Sequence, residues 1–250
     1  MIKKLTYFVV LFALFSCSSE DANDCFQNPG TTIQQTVSVS DFERILVNRD
    51  VELILNEAPD FSVIIETGEN LLNDVQAIVV GNQLQLTDNN TCNMVRDYGT
   101  TKIYVSAPNI KEIRNSSQFD VSSNGVLNYP KLKLVSENFN QTDAFTIGDF
   151  RLIVNTTDLI VTSNNLSSFY ISGSADDVTI GFYSGIGRFE GRNLMAQKVK
   201  IYHRGSNDII VNPIQELKGD LYGTGDLISV QTPPILEVVQ HYQGRLILED

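Results

Sequence analysis

The chain has 250 residues, with 18 Lys and Arg against 30 Asp and Glu and a formal charge of −12. So acidic a protein repels phosphate backbones and anionic headgroups, which argues against nucleic acid as a partner and against a basic patch as its route to a membrane. Only two histidines and three cysteines are present, so there is little material for acid–base work near pH 7 or for a soft metal site.

Residues 1–16 open with Lys3 and Lys4, continue through the apolar run Leu5 to Phe15 and end on the small Ser16. At about 1.5 Å per residue that run covers roughly 16 Å, too short for a hydrocarbon core of about 30 Å. Charge, apolar core and small residue follow in the order of an export leader. Leu14-Phe15-Ser16-Cys17 resembles a lipobox, which predicts cleavage before Cys17 and lipidation of that cysteine. Several acyl chains, at about 0.8 kcal/mol per buried methylene, hold far more firmly than one. Loss of Lys3 and Lys4 takes the formal charge from −12 to −14. Residues 17–35 read as a polar tether. Within it, Ser18-Ser19-Glu20-Asp21 resembles the surface-export signal of Bacteroidetes lipoproteins. The implied address is the bacterial outer membrane on the cell-surface side, with the periplasmic leaflet as the alternative. Cys25 and Cys92 remain. Outside the cytoplasm two cysteines most simply form one disulfide, worth about 4 kcal/mol in the chain-entropy model. Free thiols or a metal pair are the alternative, and without nearby histidines the zinc reading is poor.

Residues 36–250 read as one all-β domain. Ile45-Leu46-Val47, Val51-Glu52-Leu53-Ile54-Leu55 and Phe61-Ser62-Val63-Ile64-Ile65 are strand-like runs separated by polar turns. Residues 69–75 alone look helical, for one or two turns. Gly81-Asn82, between Ile78-Val79-Val80 and Leu84, predicts a hairpin. Leu84-Gln85-Leu86 and Ile103-Tyr104-Val105 continue the strand pattern. From Thr101 the chain becomes repetitive, with apolar pairs Leu132/Leu134, Leu159/Val161, Val178/Ile180 and Val199/Ile201. Taking the corner residues Asn165, Gly185, Gly205 and Thr224 as equivalent gives spacings of 20, 20 and 19. A period near twenty with tight Gly, Asn and Ser corners predicts a parallel β-solenoid whose inward side chains stack into columns. An antiparallel sandwich is the competing reading. Between Ser117 and Asn165 the period weakens, and an insertion is expected around residues 137–142.

These segments, in this order, resemble the head GIN domain family of auto-transporter adhesins, common among Bacteroidetes lipoproteins. Phe42-Glu43-Arg44-Ile45 and Val51-Glu52-Leu53-Ile54-Leu55 match its opening strands. Leu84-Gln85-Leu86 and Ile103-Tyr104-Val105-Ser106-Ala107-Pro108-Asn109-Ile110 match the next segment. Ile171-Ser172-Gly173-Ser174, His203-Arg204-Gly205-Ser206 and Tyr222-Gly223-Thr224-Gly225-Asp226 match its recurring corner, and Pro233-Pro234 with Gly244-Arg245-Leu246 its close. The resemblance covers residues 38–248. Asn115-Ser116-Ser117-Gln118 and Ser163-Asn164-Asn165-Leu166 lack the corner glycines. It implies a right-handed β-helix-like solenoid and an adhesion or interaction role at the cell envelope.

No Gly-x-Ser-x-Gly or metal motif accompanies His203 or His241. His203, beside a corner, reads as an exposed turn residue, and His241 as an outward strand position. Asp176, Asp177, Asp208 and Asp226 read first as solvated corner acids. With Arg188 and Arg204 near Asp208 on one face, they also allow a polysaccharide lyase-like enzyme. That alternative rests on fold analogy alone. No cofactor and no metal site is expected. The repetitive half carries Phe169, Phe182 and Phe189, which read as core. Tyr170, Tyr183, Tyr202, Tyr222 and Tyr242, with Arg204 and Asp208, are the candidate binding surface, suited to a glycan or a protein. A purely structural envelope role is the remaining alternative.

Overall fold

Alternating apolar residues give strands with one face turned inward, and Val51–Glu57 and Thr101–Ala107 bury every second side chain along most of their length. The computed structural model describes residues 25–90, 92–94, 97, 99, 101–139 and 144–249. Cys17 and the leader lie outside them. The described residues form seventeen strands joined into one sheet. Their one helical element is a single 3-10 turn, Leu72–Asp74, inside the segment expected to be helical.

In order, the strands are β1 (Thr32–Val37), β2 (Arg44–Val47), β3 (Val51–Glu57), β4 (Ser62–Gly68), β5 (Val75–Val80), β6 (Gln83–Asp88), β7 (Thr101–Ala107), β8 (Glu112–Asn115) and β9 (Val121–Leu127). There follow β10 (Lys131–Ser136), β11 (Phe150–Ser163), β12 (Phe169–Phe182), β13 (Phe189–His203), β14 (Ile209–Leu221), β15 (Leu227–Ser229), β16 (Ile235–Gln240) and β17 (Leu246–Leu248). β1 takes in Thr32–Gln35, the last residues of the expected tether.

From β8 onward every pairing is parallel. Phe150, Phe169, Phe189, Ile209 and Leu227 are successive register partners, in steps of 19, 20, 20 and 18 residues. An antiparallel sandwich has no such register. The same inward column continues through Val121, Leu53 and Ile103. A second runs Leu84, Ile45, Ile113, Leu134, Val161, Ile180 and Ile201. All of these side chains are 2% exposed or less, and burying each is worth about 1.5–3 kcal/mol. Phe150 and Phe169 stack at 4.8 Å with 7° between their planes. The expected insertion is present: Lys131 pairs with Asp158, a step of 27.

One corner corrects the predicted register. Gly185 is the equivalent of Asn165, whose carbonyl accepts from Ile186 N at 2.8 Å and Gly187 N at 2.9 Å. Gly205 accepts from Thr224 N, so its equivalent is Gly223 and not Thr224. The step there is 18 residues because β14 is two residues shorter than β13: their register shifts from Phe189–Ile209 to Val199–Leu217, and the corner inherits the shorter step. Gly185 sits at φ +86°, and a Cβ would lie 2.1 Å from the Asn165 carbonyl oxygen, so this corner requires glycine.

The first third is built differently. β1 pairs antiparallel with β4, β4 with β7, and β5 with β6 through the Gly81-Asn82 turn. β2 and β3 join this region to the parallel columns through β6, β7, β8 and β9. Cys25 and Cys92 are disulfide-bonded across 67 residues, as expected. Near this clip a buried Asp88 accepts from Thr101 Oγ1 at 2.6 Å and from Asn90 N and Nδ2 at 2.8 and 2.7 Å. Those three donors satisfy a carboxylate that is otherwise costly to bury.

Candidate functional site

The parallel register brings aromatic side chains from four successive coils onto one outer face. Tyr183 follows β12, Tyr202 lies on β13, Tyr222 follows β14 and His241 follows β16. Ring centroids are 5.1 Å apart for Tyr183–Tyr202, 5.3 Å for Tyr202–Tyr222 and 4.2 Å for Tyr222–His241, the last pair stacked with 5° between their planes. Tyr183 is 42% exposed and Tyr222 41%. The Tyr183 ring lies over Gly181, where an added Cβ would sit 2.9 Å from it. Asp220 fixes the far end, with Oδ1 at 2.7 Å from His241 Nε2. Phe139, from the insertion, extends the near end edge-on to Tyr183 at 5.8 Å.

Three of the five expected tyrosines are therefore neighbours. Tyr170 is not among them. It lies in register with Arg151, whose guanidinium stands 4.2 Å above its ring, on a different stretch of strand. Tyr242 is strongly exposed beside His241 and makes no ring contact with the column among the described residues. Arg204 is exposed and holds no ion pair among the described residues. Two members of the column escaped prediction. His241 carried the signal of spacing, 19 residues past Tyr222. Phe139 carried none, since it lies in the aperiodic insertion.

The corner acids serve the backbone. Asp120, Asp149, Asp208 and Asp226 stand before the first inward residue of their coils, and each accepts an N–H from the next. Asp149 N reaches Asp120 Oδ1 at 3.2 Å, Ser168 N reaches Asp149 Oδ1 at 2.8 Å, Asp226 N reaches Asp208 Oδ1 at 3.3 Å and Arg245 N reaches Asp226 Oδ1 at 2.8 Å. Burial raises the pKa of Asp149. The hydrogen bond from Arg245 lowers that of Asp226. Arg188 pairs with Asp208 at 3.3 Å and with Glu190 at 3.0 Å. It is thus Arg188, and not Arg204, that the fold brings to Asp208. Asp177 faces Lys198 at 4.0 Å, while Asp176 is exposed.

His203 corrects the expectation of an exposed turn residue. It is 0% exposed, because it ends β13 at an inward position between Phe182 and Leu221 in register. Its Nδ1 accepts from Gly205 N at 3.3 Å. Desolvation holds its pKa below the ordinary value, against the opposing pull of the Asn207 carbonyl and the Asp208 and Asp226 carboxylates. Among the described residues, no group of three or more His, Cys, Asp or Glu is placed to hold a metal, and no helix is long and apolar enough to cross a membrane.

The family model for "Putative auto-transporter adhesin, head GIN domain" matches residues 41–233. The fold is similar to the crystal structure of a "putative adhesin" from Bacteroides fragilis NCTC 9343. That match has a TM-score of 0.77 and 20% identity, over 87% of this chain and 97% of that one. A "putative adhesin" from Parabacteroides merdae ATCC 43184 matches with a TM-score of 0.57 and 15% identity over 88% and 96%. A "putative lipid binding protein" from Parabacteroides distasonis ATCC 8503 matches with a TM-score of 0.59 and 16% identity over 87% and 97%. At these identities the likeness is one of fold. No curated protein matches the sequence. The family match spans well over half of the residues, and the chain belongs to the head GIN domain family of adhesin-like proteins.

Proposed function

We propose that the protein is a lipid-anchored interaction module of the cell envelope, a right-handed β-solenoid held to the outer membrane through Cys17. On this reading it binds a protein partner through the Tyr183–Tyr202–Tyr222–His241 column. The lipobox-like residues 14–17 and the acidic residues that follow support the anchor and surface display. The parallel steps near twenty support the solenoid. The observation that carries the binding surface is the column itself: a continuous aromatic strip, partly exposed, that fills no space in the core.

Ring packing favours protein over glycan at this strip. A sugar ring stacks on an open aromatic face, and here the neighbouring rings cover one another, leaving edges and hydroxyls. Clustered tyrosine edges with polar tips suit the centre of a protein interface. Of the four acids named for the enzyme reading, Asp177, Asp208 and Asp226 are engaged by Lys198, Arg188 and Arg245.

Site-specific photocrosslinking on intact cells tests the surface. A benzoylphenylalanine at Tyr222 is expected to give a discrete protein adduct that a Tyr183→Ser/Tyr202→Ser background removes, with none from the exposed Asp60. No adduct at Tyr222, or equal labelling at Asp60, sinks the proposal. The anchor is tested separately: Cys17→Ala is expected to leave the membrane fraction, and its retention after a high-salt wash counts against lipidation.

A further inference from the structure

On another face, at the bend of the long strands, lies a groove of about 530 Å³, within the usual range for small-ligand sites. Asn128, Asn155, Ser174 and Met195 form its spine from four successive coils. With strands about 4.8 Å apart, the spine is about 14 Å long.

Its polar groups are already ordered. Asn155 Nδ2 donates to Asn128 Oδ1 at 3.0 Å and Ser174 Oγ donates to Asn155 Oδ1 at 2.9 Å. Asn128 in turn donates from its backbone N and, at 3.2 Å, from Nδ2 to Glu57 Oε2. This directional chain fixes both amides and leaves their second N–H groups for other acceptors. Beside it stand Asp176 and Gln197, both exposed. The Asp176 side chain has neither an ion pair nor a hydrogen bond among the described residues, although the next residue, Asp177, faces Lys198. Met195 is 55% exposed on β13, where its neighbours Leu194 and Ala196 are buried.

We propose that this groove binds an uncharged oligosaccharide. A carboxylate without a cation accepts from adjacent hydroxyls, fixed amides donate to them, and the thioether side chain lies against the C–H face of a sugar ring. No Lys or Arg lines the groove and the protein is acidic overall, so anionic glycans are disfavoured. The inference goes beyond the proposed protein-binding strip and stands without it, since the two surfaces share no residue.

Calorimetric titration of the full chain, held in a detergent without sugar head groups, tests it. The probes are maltohexaose, cellohexaose, mannohexaose and hexa-N-acetylchitohexaose, with hexagalacturonate as the anionic control. At least one neutral hexasaccharide is expected to bind saturably. Asp176→Ala is expected to weaken it about tenfold, the size of a lost hydrogen bond to a charged group, and Met195→Ala a few-fold. Tyr202→Ser is expected to leave it unchanged, and hexagalacturonate to be silent. Asp176 and Met195 are exposed, and circular dichroism with the thermal midpoint checks that both variants fold. Absence of binding by all four neutral probes overturns the proposal. So does binding that survives Asp176→Ala combined with Gln197→Ala, or binding that Tyr202→Ser abolishes while Asp176→Ala spares it.

Discussion

The second half of the molecule and its first third bury the same kinds of side chain but close their sheets at different distances along the chain. In β11 to β15 each strand finds its partner about twenty residues away and always in parallel. In the first third, antiparallel ribbons alternate with parallel pairs. There Gln118 bonds Asp50 across 68 residues, Ser117 Oγ donates to the Val51 carbonyl across 66, and Cys25 joins Cys92 across 67. Longer closures cost more chain entropy before contacts repay it. Covalent clipping and a buried polar cluster therefore belong in the first third. In the second half a repeated rung, supported by its nearest neighbours, is sufficient.

The sharpest way to break this comparison is to remove a rung. Phe169 is fully buried, stacked on Phe150 and tilted against Phe182 at 5.8 Å. Phe169→Ala is expected to cost about 3–5 kcal/mol, read as a fall in the urea midpoint. Amide protection is expected to drop most in β11, β12 and β13. Equal loss in β3 and β7 would mean that the two regions unfold as one unit, and the nearest-neighbour account would go. Opening the disulfide is the complementary experiment. Cys25→Ser with Cys92→Ser is expected to cost about 2–4 kcal/mol, with exchange quickened in β1, β4 and β6 and unchanged in β13 and β14.

The second half was the more legible in sequence for the same reason that it is nearest-neighbour. Leu159/Val161, Val178/Ile180 and Val199/Ile201 recur because each rung faces the same environment, so the period is written into residue type. The insertion showed as its interruption. In the first third, alternation in Val51–Glu57 is the same whether the partner is parallel or antiparallel, and only the Gly81-Asn82 turn revealed a ribbon. Within the candidate site, Tyr183, Tyr202 and Tyr222 were legible as tyrosines that could line one solenoid face, but not as rings packed on one another. Tyr183 lies close over Gly181, a contact that no local pattern announces. His203 misled because a residue two before Gly205 looks like turn, whereas the strand carries its inward alternation right up to the corner.

That buried histidine gives a prediction confined to the second half. Desolvation lowers its pKa in the folded protein, while the unfolded chain keeps the ordinary value near 6.5. Over the interval between the two the unfolded state binds more protons, so this residue costs stability as the pH falls below about 6.5 and costs nothing well above it. His203→Leu, which copies Leu221 one coil on, is expected to flatten that acid-side loss in thermal melts taken between pH 7.5 and 5.5. If wild type and variant fall in parallel, His203 is not held neutral by burial.

The smallest expected effect separates the two uses of a corner acid. Asp226 accepts Arg245 N at 2.8 Å and pairs with the Arg245 guanidinium at 3.0 Å. The guanidinium is largely exposed and is worth at most about 1 kcal/mol. The backbone bond is the stronger claim on the residue, because an unpaired N–H at the last coil has no partner one rung further on. Asp226→Asn keeps an oxygen for that N–H and is expected to cost less than Asp226→Ala, by a margin of about 1 kcal/mol. The pKa of Asp226 is lowered, so its contribution is present above the ordinary carboxylate value and is lost as the pH falls through the lowered one. The Asn variant is expected to lack that acid limb while keeping most of the neutral-pH stability. Equal destabilisation by Asn and Ala at pH 7 would place the energy in the ion pair instead, and the corner acids would then support the rungs by charge and not by capping their amides.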